Sequence, residues 1–314
     1  MDVITDTGGC PDLPNGSVVT IGAYDGLHLG HRAVIDIVRT KAAVMQAASA
    51  VVTFDRHPAA VVRPESAPRL LTDSGQKTEL LASTGIDLTV MLHFDQRRAA
   101  EEAEDFVEEV LVQCLKARAI VVGVDFHFGH LRRGNVALLA AMGERYGFEV
   151  FPVELLDRVD GVQEPISSTA IRRALAGGEV DVAARLLGRP FEVRGHVVKG
   201  DQRGRLLGFP TANVLVPDSM CVPADGVYAG YYERPDGARY ACAINLGRRP
   251  TFYEHADHSL LEAHLLDFDG DLYGERAKVS FVQFLRSERK FDGIDSLVAQ
   301  LKHDITAVRA KLAD

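Results

Sequence analysis

The stretch "GAYDGLHLGH", residues 22–31, sets two histidines three positions apart where an apolar run gives way to a helical pattern. A strand that turns through glycines into a helix points backbone N–H groups and the positive end of the helix dipole at an anion. Imidazoles standing there donate hydrogen bonds to phosphate oxygens and stabilise charge on a phosphoryl group in transfer. The spacing is neither GxGxxG nor GxxxxGK[ST], so this is neither a dinucleotide fingerprint nor a P-loop. Taken alone, the pair also reads as two solvated residues at a helix start. A second segment, "GHVVKGDQRGRLLGFPTAN", residues 195–213, has irregularly spaced glycines and ends in Pro-Thr-Ala-Asn. Glycines between strands often only make turns, but Thr211 and Asn213 alternate along a strand and so face one side. In "LLEAHLLDF", Glu262 is a carboxylate in an otherwise apolar strand, where it needs a partner or a purpose such as acting as a base. His264 stands two residues on, on the same face, and competes for that role.

Elements must carry these groups. From Ser17 to about Gly188, apolar runs ("SVVTIGAY", "SAVVTF", "DLTVMLHF", "AIVVGVDF", "FEVFPVEL") alternate with helical patterns. In "HRAVIDIVRTKAAVMQAAS" the residues Val34, Ile37, Val38, Met45 and Ala48 fall on one helical face. "AAEEAEDFVEEVLVQCL" is acidic in its first turns, as the helix dipole favours, and "NVALLAAMGERYG" ends at a capping Gly147. Alternating β and α elements predict an α/β unit, a parallel sheet with helices on both faces, whose ligands bind beyond the carboxyl ends of the strands. From Phe191 to Leu285, strand-like runs follow one another without helices, which predicts a small antiparallel β-barrel. The tail places Ile294, Leu297, Val298, Leu301, Ile305, Val308 and Leu312 on one stripe, a C-terminal helix packed on that barrel. The expected domains are 1–187 and 188–314.

Across 314 residues the formal net charge is −9, which disfavours nucleic acid as a partner of the chain as a whole. The start lacks the basic head and apolar middle of a signal peptide, and no run reaches a membrane span, so the expected location is cytoplasmic and no membrane partner is expected. Cys10, Cys114, Cys221 and Cys242 are scattered without CxxC or zinc-finger spacing, and four reduced structural thiols are expected.

His28-Leu29-Gly30-His31 sits in a context similar to GxFDGxHxGH, with Tyr24 for Phe; "VVTFDRHP", "VVGVDFHFG" and "ISSTAIR" resemble the TFxxHP, GxDFxFG and SSTxIR segments, in order, of one family. By these motifs the chain resembles the HxGH nucleotidyltransferases, and specifically the prokaryotic bifunctional riboflavin kinase/FAD synthetases. The resemblance implies a Rossmann-like N-terminal domain in which His28 and His31 stabilise ATP phosphates while FMN attacks the α-phosphorus and pyrophosphate leaves. Gly22, Asp25, Gly30 and His57 would then lie at the nucleotide, with Asp125 nearby unless it only forms a strand-end turn. Ser168 and Thr169 belong to the same set, although an N-cap explains them equally, and Arg172 would reach the leaving phosphates. Pro165 stands where the family often has Arg, and Arg132 and Arg133 would replace that charge.

Residues 195–213 resemble the flavokinase pattern GxVxxGxxxGxxLGxPTAN. That implies nucleotide binding by Lys199, Gly200, Gly208 and Thr211, Mg2+ at Thr211 and Asn213 as oxygen ligands, and Glu262 as the base for the riboflavin 5′-hydroxyl. "AINLGRRPTF" and "FLRSERKFDG" also resemble flavokinase segments, implying flavin contacts by Arg286 and Phe291, while Ser287–Lys290 also reads as a solvated charged turn. The implied ligands are riboflavin, ATP, FMN and FAD, with self-association weak if present. The rivals are a flavokinase with weakened adenylyl transfer, or a flavin-responsive binding protein without turnover.

Overall fold

Strands buried on both faces of a sheet must be mostly apolar, and four of the five runs read from the sequence form such strands, while the fifth, Glu149–Val153, is a partly exposed edge strand. The structure, a computed structural model, describes residues 1–6, 9–154, 159–200, 203–247 and 260–313. It divides into two compact units, Met1–Arg158 and Val159–Asp314.

In the first unit, strands β1 (Asp2–Thr5), β2 (Ser17–Ile21), β3 (Ala48–Phe54), β4 (Leu88–Leu92) and β5 (Ala117–Gly123) are followed by a short ribbon, β6 (His127–Phe128) with β7 (Gly134–Asn135), and by β8 (Glu149–Val153). The main sheet has the order β1-β4-β3-β2-β5-β8 and is parallel throughout. The chain moves outward from β2 through β3 to β4, then resumes at β5 on the other flank of β2. The turn after β2, which carries the two histidines, therefore leaves the sheet at its switch point. β1 was not anticipated: its four residues, at an edge, are too few to show a period.

The principal helices of this unit are α1 (Leu29–Met45), α2 (Ser74–Ala82) and α3 (Val136–Tyr146). The buried face of α1 is Gly30, Val34, Ile35, Val38 and Ala42. The expected face shared Val34 and Val38 with it, but Ile37 and Met45 are only partly buried and Ala48 opens β3. α3 ends as expected at a left-handed Gly147, φ 81°. The acidic helix begins at Ala103–Phe106 and continues as a π-helix, Val107–Cys114.

Cys10 and Cys114 form a disulfide, with Cα atoms 5.0 Å apart, which corrects the expectation of four reduced thiols. The two are 104 residues apart in sequence, but Cys10 precedes β2 and Cys114 precedes β5, and these strands are neighbours. Cys221 and Cys242 are free and buried, as expected.

The second unit opens with α4 (Ser168–Ala176) and α5 (Val180–Leu187). The barrel strands are β9 (Phe191–Val198), β10 (Ala212–Leu215), β11 (Gly226–Glu233), β12 (Arg239–Gly247), β13 (Leu260–Leu265) and β14 (Arg276–Arg286), followed by α6 (Ile294–Lys311). The barrel is closed in the order β10-β13-β12-β11-β14-β9, every pairing antiparallel. Closure removes the unpaired edges that an open sheet would expose. The division into compact units at Arg158 precedes the expected domain boundary at Leu187. The difference is α4 and α5: α5 packs on β9 and β14, and Ala224 N–H donates to the Leu175 carbonyl, 2.9 Å, so both helices group with the barrel.

α6 lies on the barrel as expected, with Val308 buried against Ala229 and Leu266. Its expected stripe is altered in two places. Ile294 is exposed, and the most buried residue beside Val308 is an acid, Asp304. Arg286, at the end of β14, donates Nε to Asp304 Oδ1 at 3.0 Å and Nη2 to Oδ2 at 2.7 Å. A helical period detects apolar residues and cannot see an acid buried by pairing.

Thiol titration under denaturing, non-reducing conditions is expected to find the two free cysteines, Cys221 and Cys242, and twice that number after reduction. Four reactive thiols before reduction would show the bond to be absent in solution.

Candidate active sites

β2 ends at Ile21, and the following turn is held from below by a buried carboxylate. Asp25 accepts hydrogen bonds from Leu71 N (2.9 Å) and Thr72 N (3.1 Å), while Thr72 Oγ1 accepts from Gly26 N (3.1 Å). Thr53 Oγ1 donates to the Ala23 carbonyl at 3.1 Å. The left-handed positions of this turn are Gly26 (φ 82°) and also Tyr24 (φ 47°) and Leu27 (φ 39°), two side chains that rarely take such values. Burial holds them there: Tyr24 and Leu27 sit in the core, and Tyr24 Oη pairs with Thr20 Oγ1, 2.7 Å. Gly22, which was expected to help the chain turn, instead pairs its N–H with the Val52 carbonyl, 3.0 Å.

His28 is the N-cap of α1: its Nδ1 accepts from His31 N, 3.3 Å. A neutral ring that accepts at Nδ1 carries its proton on Nε2. The two rings stack with centroids 3.6 Å apart, and Tyr24 lies beside His31 at 4.9 Å. His31 Nδ1 is buried and has no hydrogen-bond partner among the described residues. Burial drives the His31 pKa well below its usual 6.5, and the His28 ring and Lys77 add to the effect. His31 is therefore neutral at pH 7.

Lys77, which the sequence reading passed over, is 6% exposed and donates to the Phe54 carbonyl at 2.9 Å. Burial lowers its pKa, opposed by Asp25 and Asp55. It lies on α2, where a lysine in a polar helix looks like a surface residue. Beyond β2, a cavity of about 750 Å³ is lined by Gly22, Ala23, His57 and the aromatic rings Phe54, Phe94, Phe106, Phe126 and Phe128. Arg98 and Glu101, joined at 2.8 Å, stand in its wall. Of the expected residues, His57 lines it and its Nδ1 accepts from Ala59 N, 3.1 Å. Asp125 is exposed in the turn after β5, where its carbonyl meets His127 Nδ1 at 2.7 Å. The aromatic wall escaped the sequence reading because its rings are gathered from several separate segments.

Ser168, Thr169 and Arg172 belong to α4, in the second compact unit. The N-cap there is Ser167, whose Oγ accepts from Ala170 N, 3.1 Å, and Ser168 and Thr169 are the first two helical residues. The cap was read one residue late.

In the barrel, register does the positioning. Asn213 on β10 pairs with Glu262 on β13, which pairs in turn with Asn245 on β12. Residues directly opposite in a ladder share a face, as do residues two apart. Thr211, Asn213, Glu262, His264 and Asn245 accordingly line one cavity of about 620 Å³, with Arg286 and Phe291 also in its lining. The structure thus brings together the principal kinase residues selected from sequence. Asn213 is buried, and its Oδ1 has no hydrogen-bond partner among the described residues. A side chain at Gly200 would strike it, since a Cβ there would lie 2.5 Å from Asn213 Nδ2. Gly208 is left-handed (φ 86°), and neither it nor Lys199 and Gly200 line the cavity. Arg286 is committed to Asp304 and, through Nη1, to the Ser287 carbonyl at 3.1 Å.

Ser287–Lys290 are exposed, as a solvated charged turn would be, yet Glu288 also borders the same cavity, and partial burial, with Asp225 and Glu262 nearby, raises its pKa against a hydrogen bond from Asn245. Asp201, Gln202 and the stretch "RRPTF" lie outside the described residues. Among the described residues no group of His, Cys, Asp and Glu could hold a metal, and no helix is long and apolar enough to cross a membrane.

A strand-turn-helix with two stacked histidines, an aromatic cavity, and then a closed barrel with a carboxylate facing paired amide side chains fit a two-module nucleotide-dependent transferase. The FAD synthetase family profile matches residues 10–170, and the riboflavin kinase profile matches residues 187–312. The chain is similar to proteins described as bifunctional riboflavin kinase/FMN adenylyltransferase: 39% identical in Pseudomonas fluorescens (95% of this chain, 94% of that one), 38% in Escherichia coli K12 (94% and 92%) and 36% in Haemophilus influenzae (94% of both). A solved structure from Streptococcus pneumoniae, described as a macrolide-efflux protein, has 30% identity and a TM-score of 0.86 over 98% of this chain and 99% of that chain. The chain belongs to the family of bifunctional riboflavin kinase/FMN adenylyltransferases.

The depressed basicity of His31 has a consequence for stability. Unfolded, the ring takes a proton near its usual 6.5; folded, it does so only at lower pH. Between those values the unfolded chain binds more protons, so stability falls as pH drops. Urea midpoints measured from about pH 7.5 down to about 5 should decline in the wild type and decline less in His31→Gln. Equal slopes would place the proton uptake on other groups.

Proposed function

We propose that the chain makes FAD from riboflavin in two ATP-dependent steps, the second unit phosphorylating riboflavin to FMN and the HxGH site of the first adenylylating FMN. The functional division follows the sequence reading, 1–187 and 188–314. The observation that carries the kinase step is the register that sets Glu262 beside Asn213 and Asn245 on the cavity face. Glu262 takes the proton of the riboflavin 5′-hydroxyl, whose oxygen attacks the γ-phosphorus of ATP as ADP leaves.

Asn213 Oδ1, unpartnered among the described residues, with Thr211 two residues before it, suits a hard oxygen-seeking cation, and these two residues would hold Mg2+. When bound, that ion would neutralise phosphate charge. Lys199, Gly200 and Gly208 shape the segment along the nucleotide, and Phe291 with Arg286 borders the flavin.

For adenylyl transfer, the FMN phosphate oxygen attacks the α-phosphorus of ATP and pyrophosphate leaves. His28, with its proton fixed on Nε2, donates to the phosphates, and His31 remains neutral beside it. Asp25 holds the turn that places them, while Gly22, Gly30, Asp125, Ser168, Thr169 and Arg172 are assigned to the nucleotide by the family motifs. The aromatic cavity accepts the isoalloxazine ring by stacking. The reading places both reactions in the cytoplasm, on small-molecule substrates.

With MgATP and riboflavin, the chain should form FMN and then FAD, resolved by chromatography. His28→Ala should lower FAD formation from added FMN by ~100-fold or more while sparing FMN formation. Glu262→Gln should abolish FMN formation and leave adenylylation of added FMN intact. FMN without FAD from the wild type would reduce the protein to a kinase. Loss of both reactions in either folded variant would refute the division of labour.

A further inference from the structure

β10 and β13 are paired from Leu215/Leu260 to Ala212/Ala263, and there the ladder stops. The residue before β10 is Thr211, and by the same register the residue of β13 that would lie opposite it is His264. Before Thr211 stands Pro210, which has no N–H with which to continue a ladder. The Pro210 carbonyl is instead taken by a side chain: His264 Nδ1 lies 2.8 Å from it. A carbonyl only accepts, so Nδ1 bears the proton and donates. The His264 ring also meets the Phe209 ring edge-on, with centroids 5.7 Å apart. On the far side, Phe209 N–H donates to the Gly204 carbonyl at 2.8 Å, and a Cβ on Gly204 would lie 2.4 Å from the Phe209 carbonyl oxygen. The segment 204–211 is thus closed on itself at one end and fastened to β13 by one imidazole at the other.

From this arrangement we propose that His264 is a positioning residue for the kinase reaction, fixing Thr211 for the magnesium–nucleotide through its hydrogen bond to the Pro210 carbonyl. This rests on the kinase reading and answers a different question from the identity of the base. Glu262 and His264 share one face of β13, but their partners differ. Glu262 is opposite Asn213 within the ladder, whereas His264 is opposite Thr211 just past its end. Where the backbone ladder has ended, the imidazole ties the Pro210 carbonyl to β13. Its loss would leave the first proposed oxygen ligand at a frayed strand end while Arg286 and Phe291, the proposed flavin border, stay as they were.

The test uses the full chain and steady-state riboflavin phosphorylation, with MgATP and riboflavin varied separately. His264→Ala should raise KM for MgATP by about tenfold, the scale for removing a group that holds a metal ligand in place. KM for riboflavin should stay within about twofold, since no flavin contact is removed. Asn offers an amide N–H close to the Nδ1 position, so His264→Asn should recover most of the MgATP affinity. Gln places its amide nearer the Nε2 position and should not. Should the Ala variant fail to fold by circular dichroism and riboflavin binding, the Asn and Gln variants carry the same comparison. A fall in kcat with KM for MgATP unmoved, a rise confined to KM for riboflavin, or equal behaviour of Asn and Gln would overturn the inference. A wild-type chain that forms no FMN would take down the kinase reading, and this inference with it.

Discussion

A polar group removed from water must find a partner, and the two units are organised around that requirement. Leaving one unpaired costs about 1–3 kcal/mol, against a net stability of roughly 5–15 kcal/mol for a whole domain. Asp25 satisfies the requirement by accepting from residues 71 and 72, which pins the turn between β2 and α1 to a distant part of its own unit. Lys77 does so through the Phe54 carbonyl, at the carboxyl end of β3. Asp304 does so through Arg286 and Gln300, locking α6 to β14 beside the cavity. Against this background His31 Nδ1, Asn213 Oδ1 and Tyr232 Oη are buried and unpartnered among the described residues. His31 and Asn213 belong to the residues selected from sequence for phosphate or cation chemistry.

The same requirement fixes which ring nitrogen carries a proton. At His28 the neighbour of Nδ1 is a backbone N–H, so Nδ1 must accept and the proton sits on Nε2. At His264 the neighbour of Nδ1 is a backbone carbonyl, so Nδ1 must carry the proton. Two histidines in one chain are thereby set in opposite tautomers by the backbone groups beside them. The other nitrogen of His28, Nε2, is a donor, the kind of group a phosphate oxygen accepts from.

The strands were legible in the sequence, since a parallel strand buried on both faces is an apolar run and a barrel strand alternates. The turn into α1, the PTAN segment and Glu262 were legible because each is a short contiguous pattern. What stayed hidden depends on distance along the chain. The Cys10–Cys114 bond joins segments preceding adjacent strands, and no spacing rule registers adjacency in a sheet. The aromatic cavity takes one or two rings from each of several segments. Lys77 and Asp304 were invisible for a shared reason: hydropathy assigns charge to the surface, whereas a specific partner allowed each to be buried. The boundary at 187 marks a change from alternating to consecutive strands; the compact unit begins earlier because α4 and α5 pack with the barrel.

The two units solve the placement of reactive groups by different routes. A parallel sheet delivers its site in the loops past its strand ends, where side chains are aimed by local backbone shape. There Tyr24, Leu27, Leu131 and Arg132 all occupy left-handed conformations, at a cost of about 1–3 kcal/mol each where the surroundings impose them. A barrel delivers its site on the strand face, where alternation alone aims Thr211, Asn213, Glu262 and His264 the same way and strain is unnecessary. The barrel's weakness is elsewhere, at the point where its ladder ends. Proline at 210 makes that end abrupt, and an imidazole from the neighbouring strand holds the proline carbonyl just before the proposed cation ligand.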